Sequence, residues 1–126
     1  MLIKIRKCPY KLYGGLKGIQ IYNNETSSSL VVYWYKDRPE YLYVANFAVG
    51  EEHRGKGIGS KFMFFVEVIA KKKNSLAVFL QSPVNSWVYS WYSRLGYKRL
   101  GALADSGLTW MEKRLRSKQL PKGDNQ

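Results

Sequence analysis

The chain has 126 residues, 45% hydrophobic and 24% charged, a size and balance that suit one soluble globular domain; no apolar run approaches the roughly 20 residues of a membrane span. One cysteine, Cys8, and one histidine, His53, rule out an internal disulfide and a Cys/His zinc cluster and point to a reducing cytoplasm. With 21 Lys and Arg against 9 Asp and Glu, the net charge of +12 implies attraction to polyanions, whether nucleic acid, acidic protein or a phosphate-rich cofactor, although a solvated lysine-rich surface explains the charge equally well.

The basic N-terminus lacks the apolar stretch of a signal peptide. Leu2 to Arg6 and Gly18 to Tyr22 alternate as strands, joined by the turn-rich "CPYKLYGGLKG" and followed by the polar turn "NNETSSS". Leu30 to Lys36 is a strand rich in β-branched and aromatic residues, and "DRPE" turns the chain. Tyr41 to Val49 reads as a long central strand covered on both faces. From Gly57 to about Lys72 the period becomes helical, with Ile58, Phe62, Phe65, Val66 and Ile69 on one face and Lys71 to Lys73 at the dipole's negative end. Ser75 to Gln81 is a short buried strand. A second helix starts near Asn85, turns Val88, Trp91, Tyr92 and Leu95 inward, and stops at Gly96. "YKRLGAL" and "LTWMEKRL" close a hairpin around "ADSG". The domain is expected to span residues 1–117, with a loose polar tail over 118–126. A strand–helix–strand crossover makes a parallel pair, so the fold class is α/β: a mixed, mainly antiparallel central sheet of six to seven strands with two main helices.

The segment "EEHRGKGIGSKFMFF" places Gly55, Gly57 and Gly59 between a strand's C-terminal end and a helix's N-terminus. Free helical amides and the positive dipole end favour an anion there, and Arg54, Lys56 and Lys61 add charge. It is neither a P-loop, which needs G-x-x-x-x-G-K-[ST], nor a Rossmann loop, which needs G-x-G-x-x-G and a later acid. What remains is R-x-x-G-x-G, with Arg54, Gly57 and Gly59 in the fixed places. It resembles the acetyl-CoA pyrophosphate loop of the GNAT N-acetyltransferase superfamily. A second stretch, "NSWVYSWYSRLGY", carries Asn85, Tyr92 and then Gly96-Tyr97 at spacings similar to that family's downstream signature. The resemblance covers about Leu42 to Trp110.

The resemblance implies an acyl-CoA N-acyltransferase fold with a splayed parallel strand pair and acetyl-CoA as co-substrate. It implies that backbone of Phe47, Ala48 and Val49 holds the pantetheine arm, and that amides of Arg54, Gly55, Lys56, Gly57, Ile58, Gly59 and Ser60 cradle the pyrophosphate. Asn85 would contact the pantetheine region, and Tyr92 would protonate the departing thiolate while an amide near Val49 polarises the carbonyl. Read from the residues alone, Asn85 is also a helix N-cap and Tyr92 a core residue. Trp87, Trp91, Tyr89 and the run Tyr33-Trp34-Tyr35 read as packing, and His53 as a surface residue with a catalytic base as the other reading.

The match thins in two places. The strands flanking the expected gap offer Asn46 and Gln81 but no carboxylate, leaving water-mediated deprotonation, an acceptor that arrives neutral, or a CoA binder without transfer. About a dozen residues, "CPYKLYGGLKG", stand where the family places one or two helices, so the acceptor side is expected to be open and to suit an amine on a macromolecule, a protein or a charged RNA, unless a homodimer walls it. The competing reading is a non-catalytic basic module on the same scaffold that binds nucleic acid or an acidic protein.

Overall fold

A computed structural model describes residues 1–101 and 107–116. Ten elements follow one another: β1 (Lys4–Lys7), β2 (Leu16–Asn23), β3 (Ser28–Tyr35), β4 (Arg38–Ala48), a short 3-10 turn (Glu51–His53), α1 (Ile58–Lys72), β5 (Ala77–Pro83), α2 (Trp87–Arg94), β6 (Lys98–Leu100) and β7 (Leu108–Arg114). They build one seven-stranded sheet in the order β1-β2-β3-β4-β5-β7-β6. Only the β4–β5 pair among these strands is parallel, bridged by α1, as the crossover pattern predicts. The turn residues 104–106 of the closing hairpin and the expected tail, 118–126, lie outside the described residues.

The sheet carries its helices on one face. α1 buries Ile58, Phe62, Met63, Val66 and Ala70 against Leu42 and Val44 of β4 and Val78 and Leu80 of β5, and Tyr92 of α2 joins the same core. Each helix ends in a left-handed residue: Asn74 (φ 57°) after α1 and Gly96 (φ 101°) after α2. At both ends the amide two residues past the C-cap reaches back to the last full turn, Ser75 N to Ala70 O at 2.8 Å and Tyr97 N to Tyr92 O at 3.1 Å. The expected stop at Gly96 is thus realised.

Two expectations change. β4 is central but not covered on both faces: only Leu42 and Val44 in it are buried. Their opposite neighbours Tyr41 and Tyr43 join Tyr33, Tyr35, Phe79 and Trp110 on a half-open aromatic face, where Tyr33 stacks on Tyr43 at 5.1 Å and Tyr43 on Phe79 at 5.4 Å. An apolar strand whose second face is floored by rings has the same pattern as one buried twice. The N-cap of α2 is Ser86, not Asn85. Ser86 Oγ accepts from Tyr89 N at 3.1 Å, whereas Asn85 takes the left-handed conformation (φ 57°) just before it.

Candidate active site

Strand β4 opens the site. It pairs with β5 only at Tyr41↔Ala77, Leu42↔Val78 and Tyr43↔Phe79, although both strands run on, to Ala48 and Pro83. The cause is local. Between Val31↔Ala45 and Ser29↔Ala48 the β3–β4 register slips, and Asn46 sits there at φ 52°. A bulge of this kind bends its strand and inverts the alternation of side chains. Phe47 is thereby turned to the helical face, 6.0 Å from the Phe62 ring and 6.2 Å from Trp91. Asn46 Nδ2 donates to Tyr10 Oη at 2.7 Å, tying the bulge to the loop after β1.

Where the strands part, a gap of about 360 Å³ passes through the sheet. Val44, Phe47, Leu80, Val88 and Tyr92 line it from the helical side, and Tyr33, Ala45, Gln81 and Trp110 from the aromatic side. Phe47, Val88 and Tyr92 are shared with a second cleft of about 500 Å³ between the glycine loop and α2. Its lining includes Ala48, Val49, Arg54, Gly55, Gly57, Ile58, Gly59 and Ser60, nearly all of the residues expected around the donor. Tyr33 and Trp110 are shared in turn with a cleft of about 530 Å³ on the aromatic face. Tyr92 therefore stands where the gap and the glycine-loop cleft meet.

The three glycines differ. Gly55 (φ 78°) and Gly57 (φ 80°) hold left-handed turns, Gly57 as the N-cap of α1, and a Cβ on either meets nothing within 4 Å. Gly59 opens the helix in ordinary geometry, but a Cβ there comes within 3.1 Å of the Trp91 indole and 3.6 Å of Phe47. Gly59 makes room for α2, while Gly55 and Gly57 shape the loop. Arg54 Nε donates to Val49 O at 3.2 Å, folding the loop back onto the end of β4.

Lys56 and Asn85 do not line these clefts. Three residues not expected at the donor do. His53, half-buried, and Arg94 line the glycine-loop cleft. Trp87, read as packing, stands 74% exposed in that lining. Trp34 does pack, against the core and under Lys73 Nζ at 3.8 Å, but its neighbours Tyr33 and Tyr35 face the open aromatic cleft. Alternation along β3 is the signal that separates them.

The Tyr92 phenol is pushed up to about 12 by burial, and so stays protonated across the working range of an enzyme. Tyr97, 5.8 Å from it between ring centres, is raised further, by burial first and then by Glu67 and Tyr92, and no described side chain hydrogen-bonds its buried hydroxyl. No carboxylate lines the gap among the described residues.

Residues 19–99 match the family model described as acetyltransferase (GNAT) domain, well over half of the chain. No curated protein sequence matches the chain significantly. Among solved structures, a provisionally assigned acetyltransferase from Agrobacterium tumefaciens is 27% identical with a TM-score of 0.62, over 88% of this chain and 76% of its own. An acetyltransferase from Bacillus cereus is 24% identical at a TM-score of 0.63, over 79% and 74%. The ribosomal-protein-S18-alanine N-acetyltransferase of Escherichia coli shares the fold at 11% identity and a TM-score of 0.67, over 94% and 97%. With the family match over most of its sheet and both helices, this chain belongs to the GNAT acetyltransferase family and is an N-acetyltransferase.

Proposed function

We propose that the chain moves the acetyl group of its co-substrate, acetyl-CoA, to an amine carried on a macromolecule, by direct attack, with Tyr92 as the general acid. The observation that carries this reading is that the gap beside β4 shares Phe47, Val88 and Tyr92 with the glycine-loop cleft and Tyr33 and Trp110 with the aromatic cleft, with Tyr92 between donor side and gap. Three solved structures of similar fold, among them the paiA N-acetyltransferase of Thermoplasma acidophilum, are complexes with coenzyme A.

The residues divide the work. The amides of the loop from Arg54 to Ser60, at the N-terminus of α1, would hold the pyrophosphate, with Arg54, His53 and Arg94 around it. The stretch of β4 beyond Tyr43, unpaired with β5, would offer its backbone to the pantetheine arm, and an amide near Val49 would polarise the thioester carbonyl. The amine nitrogen then bonds to the carbonyl carbon, the carbon–sulfur bond breaks, and the Tyr92 hydroxyl gives its proton to the sulfur. A phenol near 12 is a weak acid, but the burial that raises it also raises the basicity of a thiolate in the same place. With no carboxylate at the gap among the described residues, the proton lost by the amine passes to water. No helix stands between β1 and β2, and Tyr10 and Tyr13 of that connection are 43% and 70% exposed, which supports a large acceptor on this side.

Tyr92→Phe tests the role of the phenol. The acetyl-CoA-induced rise in melting temperature should survive, while kcat falls by about 10²-fold or more. An unchanged kcat removes Tyr92 from the chemistry, and no acetyl transfer to any amine in fractionated cell extract returns the chain to a binding module.

A further inference from the structure

The aromatic cleft has its own chemistry, and a role for it in acceptor binding rests on the acetyl-transfer reading. Its lining is Tyr33, Tyr35, Tyr43, Phe79 and Trp110, with Leu100 and Gly101. These rings form a platform: Tyr43 lies parallel to Tyr33 and Phe79 and meets Tyr35 and Trp110 edge-on, at 5.9 and 6.0 Å. Tyr35 and Trp110 remain 41% and 40% exposed, so the platform is a surface another ring can cover. It also abuts the reaction path, since Tyr33 and Trp110 line both this cleft and the gap.

Charge narrows the class of acceptor. No carboxylate lines either the cleft or the gap among the described residues. Glu112, opposite Phe79 in the β5–β7 ladder, is engaged by Arg114 at 3.6 Å. The whole chain carries +12, and the Tyr43 phenol is raised by burial first and then by Tyr35 and Tyr41, against a smaller lowering by Arg38. Among the described residues an acceptor with several ammonium groups meets no carboxylate in this lining. An amine drawn into the ring-lined gap is desolvated, which favours its neutral form and supplies a neutral nucleophile where no carboxylate among the described residues serves as base. Flat rings favour a flat partner.

We propose that this cleft binds the acceptor through a planar aromatic ring, one or two carbons from a single primary amine that reaches into the gap between Tyr33 and Trp110. The ring is held against Tyr35 and Trp110, the exposed rings of the platform, and the amine is the group acetylated. A free arylalkylamine and a polypeptide whose first residue is aromatic share this chemistry.

The test compares initial rates with acetyl-CoA and tryptamine, n-hexylamine, spermidine, and two peptides differing only in Trp or Leu at the first position. Stacking of one ring should favour tryptamine over n-hexylamine, and the Trp peptide over the Leu peptide, by about tenfold or more in kcat/KM. In Trp110→Ala both preferences should shrink below about threefold while the KM for acetyl-CoA is unchanged. The better of tryptamine and the Trp peptide identifies the source. Equal rates for n-hexylamine, a preference for spermidine, or an aromatic preference that survives Trp110→Ala overturns the proposal. If none of the five is acetylated, acetyl transfer into fractionated cell extract decides the acetyl-transfer reading separately. The cleft is then read by titrating the CoA-loaded protein with tryptamine: binding lost in Trp110→Ala sustains the aromatic site, and no binding overturns it.

Discussion

Replacing Gly57 and Gly59 one at a time by alanine separates a glycine kept for its backbone from one kept for its neighbour. At Gly57 the added methyl meets nothing within 4 Å, so the stability cost is that of holding an L-residue at φ 80°, about 1–2 kcal/mol. For a domain of this size that lowers Tm by roughly 4–8 °C. The open space it enters belongs to the cleft that Gly57 lines. Acetyl-CoA at a hundred times its Kd stabilises the wild type by about 2.7 kcal/mol, and Gly57→Ala should lose most of that shift. At Gly59 the helical backbone gains about 0.5–1 kcal/mol from alanine, while the methyl, 3.1 Å from the Trp91 ring, pushes the indole back by a few tenths of an ångström. The two terms nearly cancel, so Tm should stay within a few degrees and the ligand shift should be largely retained. Differential scanning fluorimetry with and without acetyl-CoA reads both quantities. Gly57→Ala with a normal Tm and a full ligand shift, or a Gly59→Ala protein that folds but no longer responds to ligand, refutes this division of labour.

Ser86→Ala should cost about 1 kcal/mol in urea denaturation through loss of the cap to Tyr89 N, whereas Asn85→Gly, which keeps the left-handed turn, should cost little. Tyr97→Phe removes a buried hydroxyl that no described side chain pairs and should leave stability unchanged or raise it by up to about 1 kcal/mol. The Tyr92 phenol, raised from 10.0 to about 12, ionises in the unfolded chain before it does in the fold. Its contribution is therefore intact below pH 10 and is lost as pH climbs towards 12, on the order of 2–3 kcal/mol. Urea midpoints from pH 8 to 11.5 should fall more steeply for the wild type than for Tyr92→Phe, which cancels the background of titrating lysines.

The glycine loop, the α1 crossover and the Tyr92 helix were legible because each rests on local chemistry: glycines at a strand-to-helix junction, apolar residues at helical spacing, a glycine stop. Trp91 and Tyr92 fall on the inward face of α2 as the pattern requires. Ser86 and Asn85 are both good caps side by side, and only the φ of Asn85 decides between them. Trp87 follows that cap by one residue, so its place on the outward face depended on the same decision. The aromatic cleft was hidden for a different reason. Tyr33, Tyr43 and Phe79 lie in strands whose rings cover one another, and residues that pack edge to edge on an open sheet look in sequence like residues packed under a second layer. Asn46 gave no signal, because a bulge is set by the register of two strands rather than by either one.

That bulge links the two halves of the site. A regular β4 would keep the parity of Leu42 and Val44 to its end and would point Asn46, not Phe47, at α1. An amide at that place would sit against Phe62 and Trp91 with few partners, at a cost of about 1–3 kcal/mol. The extra residue avoids this by sending Asn46 outward to Tyr10 Oη and Phe47 inward to the aromatic cluster. It also bends β4, whose ladder with β5 stops at Tyr43, so the gap is held open by packing on its own flank rather than by whatever fills it. The left-handed Asn46 is the point to test: Asn46→Gly keeps the conformation and loses only the bond to Tyr10, while Asn46→Val strains the bulge. If the bulge holds the gap open, Asn46→Gly retains the acetyl-CoA shift in Tm and Asn46→Val loses it; equal shifts in the two variants would mean that the strands part for another reason.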